Sequence, residues 1–478
     1  MHINQTPSLI NQTNQKVIHA RIHGDVVVVL PDSLDLITSY VVQEQEDWFE
    51  DEIKFVRELM QPGMRVIDVG ANYGLYALSM ASKVGAHGHV WAFEPASSTV
   101  SFLKRSIALN NFSNVTVIQC ALSNRTGTAK LGLNQNSELN TLCLENGSTL
   151  ETEDVALTTL DRYTAEHGCE QIEFVKLDAE GEESNIVSGG AAFLEKESPL
   201  IMYELKHGWQ VNLSLVRQFE ERGYLPYILI PGLSLLAPFD STASPDPFQL
   251  NLFCCKKDRA RQLEQRGLLA VSMEDIDMLY ESDALSWRRF LESKPFARSI
   301  VERWGNRVNE QPMPGWKNLK KAIELYSMAH NPDLNPNLRY FALKSSYNQL
   351  ALLCNESPSL GRLCTFARVS RELGYREKAL EVLRNVVNMR QQPLTLDEPF
   401  LPASHRFDSI DPGNRVGAWM TASLLEQIET CKAQSSFYSG TSSLNYLKVL
   451  LSTGFASPEM ERRRQLILKR YGRQSGLN

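Results

Sequence analysis

The chain has 478 residues, with 49 Lys plus Arg against 56 Asp plus Glu and a formal net charge of −7. That length exceeds one comfortable core and predicts two or three domains. With 43% hydrophobic and 22% charged residues, disordered and fibrous architectures are excluded, and the acidic balance argues against a surface built throughout for nucleic acid.

The opening Met1-His2-Ile3-Asn4-Gln5 has no charged segment leading into an apolar run. The longest early apolar run, residues 26–30, falls far short of the roughly 20 residues a spanning helix needs. Neither a secretory signal nor a transmembrane segment is expected. The eight cysteines include no C-x-x-C pair, so neither a zinc site nor a disulfide framework is indicated, and a reducing, cytoplasmic setting is expected.

Residues 17–22 and 26–30 read as two short strands around His23-Gly24-Asp25. A helix is predicted over 47–61, with Phe49, Ile53, Val56, Leu59 and Met60 on one side, stopped by Pro62-Gly63. From 64 to 205, strand-like runs at 65–69, 89–93, 115–119, 174–177 and 200–204 alternate with helix-like segments near 74–84, 96–110 and 181–195. That alternation signals βαβ units and a doubly wound, mainly parallel α/β sheet. Runs at 225–230 and 250–255 are expected as an antiparallel hairpin closing one edge. Beyond Lys256-Lys257-Asp258-Arg259 the pattern is helical and broken by prolines, an all-α region. The expected division is 1–61 (hairpin and helix cap), 62–258 (α/β domain) and 259–478 (helical domain).

The most informative stretch is Val66-Ile67-Asp68-Val69-Gly70-Ala71-Asn72-Tyr73-Gly74: a buried strand, a tight turn, then a helix. Gly70 allows close backbone approach to a ligand, and Gly74 close helix packing. The spacing is not the G-x-G-x-x-G of a dinucleotide site; it suits an amino-acid and nucleoside ligand. Asp68 suits the ammonium of a methionine moiety. The next strand ends in Glu94, placed to accept from both hydroxyls of a ribose. The third ends in Cys120-Ala121-Leu122, small and apolar enough to lie beside adenine.

These residues resemble the FkbM family of methyltransferases. The resemblance covers roughly residues 45–215 and rests on the turn above, on Phe93-Glu94-Pro95, Ala121-Leu122-Ser123-Asn124 and Thr159-Leu160-Asp161. Its most specific piece is Val175-Lys176-Leu177-Asp178-Ala179-Glu180-Gly181-Glu182-Glu183, followed by Pro199 and Glu204. It implies a class I methyltransferase fold, S-adenosylmethionine as donor and transfer to an oxygen. It also implies a cofactor-binding set of Asp68, Gly70, Ala71, Asn72, Tyr73, Gly74, Glu94, Pro95, Ala121, Leu122 and Asp178.

A hydroxyl acceptor benefits from a base that takes its proton during transfer. The turns after the fourth and fifth strands carry Asp178, Glu180 and Glu182 on one side and Glu204, Lys206 and His207 on the other. Asp178 is expected beside the transferring methyl, and Glu180, Glu204 and His207 are the candidate bases. Plainer readings compete: Glu182 and Glu183 open a helix, where the dipole favours acids, Lys176 can simply pair with a neighbouring acid, and Asp161 can cap a helix. A divalent metal on some of these acids is possible but not favoured, and no residue is assigned as a metal ligand. The hairpin and the 47–61 helix are expected to cover the cofactor or acceptor side, with Glu46, Trp48 and Glu50 as candidates to face it.

In the helical half, residues 373–383 resemble the second helix of a tetratricopeptide repeat, with a weaker echo at 319–326. It could bind a protein partner, mediate self-association or help enclose the acceptor. The basic tail (Arg462, Arg463, Arg464, Lys469, Arg470, Arg473) reads as a solvated helix face, with an anionic partner or lipid head groups as the other use. The leading expectation is an O-methyltransferase acting on a sugar hydroxyl of a polysaccharide or glycolipid. The alternatives are tailoring of a small natural product and a non-catalytic scaffold on the same fold. Nucleic acid is disfavoured as a partner, because Asp178-Ala179-Glu180-Gly181 stands where a base-flipping enzyme would place an Asn/Asp-Pro-Pro-Tyr turn.

Overall fold

Short runs of β-branched and aromatic residues alternate with amphipathic segments, and the backbone follows that alternation. The computed structural model describes residues 16–143, 151–207, 210–271, 286–389 and 396–474. It opens with β1 (Val17–Ile22) and β2 (Val26–Pro31), an antiparallel hairpin. Two helices follow, α1 (Ile37–Gln45) and α2 (Asp51–Leu59), where the sequence pattern gave only one, over 47–61. Glu46 takes a left-handed φ of 57° and ends α1 by bonding back to Val42, and α2 starts afresh with Asp51 and Glu52 in its first turn. The β-branched residues of α1 have modest helix propensity, so the sequence pattern marks no helix there.

Next come β3 (Arg65–Val69), α3 (Leu75–Val84), β4 (His89–Phe93), α4 (Ser97–Leu109) and β5 (Val115–Ile118). Four strands absent from the expected pattern then appear: β6 (Ala121–Leu122), β7 (Gly127–Leu133), β8 (Thr141–Cys143) and β9 (Glu151–Thr158). They form a separate sheet in the order β6-β9-β7-β8. In β9 only Val155 and Leu157 are buried, so the sheet has one thin apolar face and leaves a weak sequence signal.

The chain continues through α5 (Leu160–His167), β10 (Ile172–Leu177), α6 (Glu183–Gly189), α7 (Ala191–Glu197) and β11 (Leu200–Glu204). The helix expected over 181–195 is broken at Gly189-Gly190. A side chain on Gly189 would meet the Ser123 carbonyl at 2.3 Å. Asp161 does serve a helix end, but that of α7: its carboxylate accepts from the Ala192 and Phe193 backbone N–H groups at 3.1 and 2.7 Å. Thr159 caps its own helix. After the short β12 (Lys206–His207) and β13 (Gln210–Val211) come α8 (Leu213–Glu220), β14 (Leu225–Ile230), β15 (Leu235–Pro238), β16 (Asn251–Cys255) and α9 (Lys257–Gln265).

The main sheet has the order β15-β14-β16-β11-β10-β3-β4-β5. β11, β10, β3, β4 and β5 run parallel, and β16, β14 and β15 are antiparallel. This is the doubly wound α/β fold with an antiparallel edge. β14 and β16 do pair, but β15 lies outside them as the true edge. Successive residues alternate between two covered faces. Val66, Val90, Ala92 and Met202 join one core with Ala77, Leu78 and Leu103 of α3 and α4. Ile67, Trp91, Phe93 and Tyr203 join the other with Ile186, Leu194 and Phe219.

The rest is helical: α10 (Trp287–Glu292), α11 (Val301–Glu310), α12 (Trp316–Ala329), α13 (Pro336–Glu356), α14 (Leu360–Glu372), α15 (Arg376–Met389), α16 (Val416–Lys432), α17 (Ser436–Ser439), α18 (Leu444–Ser452) and α19 (Pro458–Gln474). α12 packs on α13 and α14 on α15. The helical core, with Trp304, Phe296, Phe400 and Trp419 at its centre, takes in Ile230, Leu233, Leu235 and Ala237 from the sheet edge. α9 packs with the sheet instead, through Ala260 and Leu263, and Leu268 and Ala270 bond to Leu236 of β15. No described helix is long and apolar enough to cross a membrane.

The basic tail is only partly a solvated face: Lys469 is exposed and Arg464 half-exposed, while its other described arginines turn inward onto acids. Arg463 is 1% exposed and sits among Glu459, Glu44 and Glu429, at 3.0 to 3.6 Å. Arg462 pairs with Glu46, Arg464 with Glu461 and Arg470 with Asp35. The side chain of Arg473 lies outside the described residues.

Candidate functional site

The order of strand winding reverses between β3, which leads outward to β4 and β5, and β10, which leads the other way to β11. At such a switch point the loops diverge beyond the strand C-termini and leave a crevice. Here it is a cavity of about 580 Å³, within the size range of small-molecule sites. Gly70 shapes its floor. Its φ is +72°, and a Cβ there would lie 1.7 Å from the Asp178 carbonyl oxygen. Its missing side chain lets the two strand-end turns meet, and its backbone lines the cavity. Gly74, at φ +91°, does not line the cavity; a Cβ there would strike Leu103 of α4 at 2.4 Å.

Of the residues assigned to the cofactor, Asp68, Gly70, Ala71, Asn72, Tyr73, Glu94, Pro95, Ala121, Leu122 and Asp178 all line this one cavity. Asp68 is fully buried, and no hydrogen bond of good geometry reaches its oxygens; the nearest cation, Lys176, lies 3.9 Å away. Burial lifts its carboxyl to about 6, against the pull of Lys176. Glu94 is also buried. Its oxygens accept from the backbone N–H groups of Asn72 and Ala96, each at 2.9 Å. Burial still pushes it up to about 7. Asn72, in the left-handed region at φ 49°, accepts from the Ser137 hydroxyl at 2.8 Å and so ties the turn to the four-stranded sheet.

The acceptor-side acids converge as expected. Asp178 Oδ2 lies 2.8 Å from Lys176 Nζ, so the plain pairing reading of Lys176 holds. Glu180 and Gly181 take φ values of 47° and 101°, a turn held by Glu183, which accepts from the Ala179 and Gly181 N–H groups. Glu182 is occupied structurally, accepting from the Ser123 hydroxyl at 2.9 Å. Burial, reinforced by Asp178 and its neighbours, pushes Glu180 up to about 8 and Glu204 up to about 9. One carboxylate oxygen each from Asp178, Glu180 and Glu204 lie within 4.8 Å of one another, a grouping from which a hard divalent cation could take oxygen ligands. The side chain of His207 lies outside the described residues.

Other walls come from distant segments. Trp48, Phe49 and Glu50 line the cavity, whereas Glu46 faces away toward Arg462. Glu50 accepts from the Tyr76 hydroxyl at 2.6 Å, and burial raises its carboxyl. The β1–β2 hairpin does not reach the cavity; it binds the back of the domain, Val29 N–H donating to Ser106 of α4 at 2.8 Å. Ile37 and Thr38 of α1, Glu138 and, from the helical half, Gln434 and Tyr438 complete the lining. Thr38 bonds Glu138, and burial pushes that acid up to about 7. No local motif marks Glu138, Gln434 or Tyr438; only the tertiary fold brings them in. Among the described residues, eight acids (Glu50, Asp68, Glu94, Glu138, Asp178, Glu180, Glu182, Glu204) and one ammonium, Lys176, line the cavity.

Residues 68–226 match the family model described as Methyltransferase FkbM domain, and the chain carries that domain over this stretch. No curated protein matches the chain. It is similar to the solved methyltransferase FkbM from Methylobacillus flagellatus KT, at 16% identity over 42% of this chain and 50% of that one, with a TM-score of 0.28. That likeness spans half the length of the Methylobacillus protein. It is also similar to a SAM dependent methyltransferase from Aquifex aeolicus, at 13% identity over 45% and 90% of the two chains, TM-score 0.25. A Streptococcus mutans protein, described as a methyltransferase and solved in complex with SAH, matches at 10% identity over 43% and 95%, TM-score 0.26.

Proposed function

We propose that this chain, which carries a methyltransferase FkbM domain, is an S-adenosylmethionine-dependent O-methyltransferase acting on a sugar hydroxyl of a polysaccharide or glycolipid. The observation that carries the reading is Asp68: a fully buried acid whose only cation, Lys176, stands 3.9 Å off and is shared with Asp178, at the floor of a cavity with far more acid than base. Leaving such a group unsatisfied is costly, and a cationic ligand relieves it. The sulfonium and ammonium of S-adenosylmethionine are such cations.

In this reading Asp68 holds the ammonium, and Glu94 offers the ribose hydroxyls the lone pairs its two backbone bonds leave over. Cys120, Ala121 and Leu122 give adenine a small apolar wall. The bound cofactor supplies an activated methyl group. Asp178, fixed by Lys176, borders the transfer position. Glu180 and Glu204 are the bases: protonated for much of the time in the ligand-free cavity, they are drawn back toward carboxylate once a cation binds, and then accept the hydroxyl proton. The excess of acid repels a phosphorylated or carboxylated acceptor, which favours a neutral polyol over a nucleic acid.

Calorimetric titration with S-adenosylmethionine and S-adenosylhomocysteine tests this, beside Asp68→Ala and Glu94→Ala. Micromolar binding weakened by both substitutions supports the reading. No binding up to millimolar cofactor overturns it.

A further inference from the structure

The helical half sends one short segment, residues 434–438, to the cavity, and the way it is held shows what it carries there. The Gln434 carbonyl accepts from Gln45 at 2.6 Å and from the buried Arg463 at 3.2 Å. Ser435 caps the short turn of α17 by accepting from the Phe437 N–H at 3.1 Å. The Ser436 N–H donates to the buried Glu44 at 3.0 Å, and its hydroxyl meets Tyr40 at 2.9 Å. Phe437 packs edge-on against Tyr40, with Arg470 lying 3.9 Å over its ring.

Gln434, Ser436 and Phe437 are thus pinned to α1 or α19, while Tyr438 itself is 54% exposed. It lines the cavity mouth, touching Phe437 edge-on with ring centroids 5.4 Å apart. Crowding by the walls, with the carboxylates of Glu138 and Glu50 nearby, pushes its hydroxyl up to about 12. An aromatic ring this open, on a segment this firmly held, is preorganised to pack against something that is not protein. Trp48 and Phe49, with ring centroids 4.3 Å apart, line the same cavity from the other part of the chain.

We propose that Tyr438 is an acceptor-binding residue: the platform on which a neutral hydroxylated ring stacks, its C–H face on the phenol and its hydroxyls toward Glu138 and Glu50. The inference rests on the methyltransferase reading of the cavity and makes the helical half a specificity element of that site. The charge balance selects the ligand class. An anionic ring meets uncompensated carboxylates, and a cationic one competes with the positive cofactor for the same acids. A polyol gives those acids hydroxyl donors and the phenol an apolar face.

The test uses the full chain saturated with S-adenosylhomocysteine, with methyl α-D-glucopyranoside and methyl α-L-rhamnopyranoside as probes, followed by saturation-transfer NMR. In the native protein the ring C–H protons of at least one glycoside should receive saturation. Tyr438→Ala should weaken that glycoside by about three- to tenfold, the range of one aromatic contact, and Tyr438→Phe should hold it within about twofold. Affinity for S-adenosylhomocysteine and the unfolding midpoint should be unchanged in both variants. Equal glycoside binding by Tyr438→Ala overturns the proposal. So does a native protein that binds S-adenosylhomocysteine but neither glycoside. Failure to bind S-adenosylhomocysteine at all is a different result: it removes the cofactor reading, and this proposal with it.

Discussion

Lys176 stands opposite Asp68 in the register of the two central parallel strands, its ammonium 3.9 Å from the unsatisfied Asp68 carboxylate and 2.8 Å from Asp178. One cation therefore serves two acids. Burial alone would lower its pKa, yet Asp178 and Asp68 together raise it, so it stays charged. Asp68→Asn should keep the fold and weaken S-adenosylmethionine by about 10- to 100-fold, equivalent to roughly 1.4–2.8 kcal/mol. Lys176→Met should act on stability instead, because it strands two acids without a counter-charge; removing one partner of a buried pair costs roughly 3–5 kcal/mol. Calorimetry and urea unfolding separate the two effects. A Lys176→Met protein of native stability would show that the pair is solvated.

The cavity acids also fix the sign of a pH dependence. In the folded, ligand-free protein Asp68, Glu94, Glu180 and Glu204 sit at about 6, 7, 8 and 9, against about 4 for an unfolded carboxyl. These four groups thus bind more protons in the folded state than in the unfolded one between about pH 4 and 9, so their contribution to stability falls as pH rises through that window. The melting temperature of the ligand-free protein should drop from pH 5 to pH 9. Binding the cationic cofactor lowers the same pKa values and releases protons, which calorimetry in two buffers of different ionisation enthalpy detects. Proton uptake on binding at pH 7.5 would contradict this account of the cavity.

Gly70 separates strain from chemistry. A methyl group there meets the Asp178 carbonyl at 1.7 Å and must also adopt φ +72°. Gly70→Ala should therefore push the β3 and β10 turns apart. It should cost at least about 1–3 kcal/mol for the left-handed backbone, and it should weaken cofactor binding although no side chain facing the cavity has changed. Unfolding curves and a titration with S-adenosylhomocysteine report both.

If Glu204 is the base, Glu204→Gln should cut turnover of a hydroxyl acceptor by about 10²–10⁴ and leave the cofactor affinity within about twofold. The alkaline rise of the pH–rate profile should disappear with it. Glu180→Gln showing the larger loss would transfer the role to Glu180.

The end of the cavity lined by the β3 and β4 turns was legible because its residues are consecutive. A strand, a turn and a helix start carry Asp68 to Tyr73, and Glu94 ends the next strand, so spacing alone places them together. The end lined by the β10 and β11 turns was half legible: Asp178, Glu180 and Glu204 follow strand tips. Glu138 sits in a short 3-10 turn between weak strands, and Tyr438 lies 260 residues beyond Asp178 in sequence number, which local pattern cannot bridge. The β-branched α1 was hidden for another reason: helix propensity is a small term, and packing of Tyr40 and Val41 against the rest of the chain overrides it. The tail misled because its arginines find acids more than 400 residues away, such as Glu44.

The two halves should not fold apart. Ile230, Leu233 and Leu235 belong to the core of the helical half although they lie on the sheet edge, and Arg371 of α14 reaches Asp51 of α2 at 2.6 Å. A chain ending at residue 270 would expose those three side chains. At roughly 1.5–3 kcal/mol each, that is on the order of 5–9 kcal/mol, comparable to the whole stability of a typical domain. It would also strip Glu44 of the Ser436 and Arg463 contacts that hold it in the full chain, opening the face of α1 to water. The truncated chain should aggregate, or keep its far-ultraviolet circular dichroism while losing the near-ultraviolet signal and cooperative unfolding. Arg371→Ala in the full chain should be far milder, because the pair is only partly buried. A soluble 1–270 fragment that melts cooperatively and binds S-adenosylhomocysteine as tightly as the full chain would show that the α/β domain is self-sufficient.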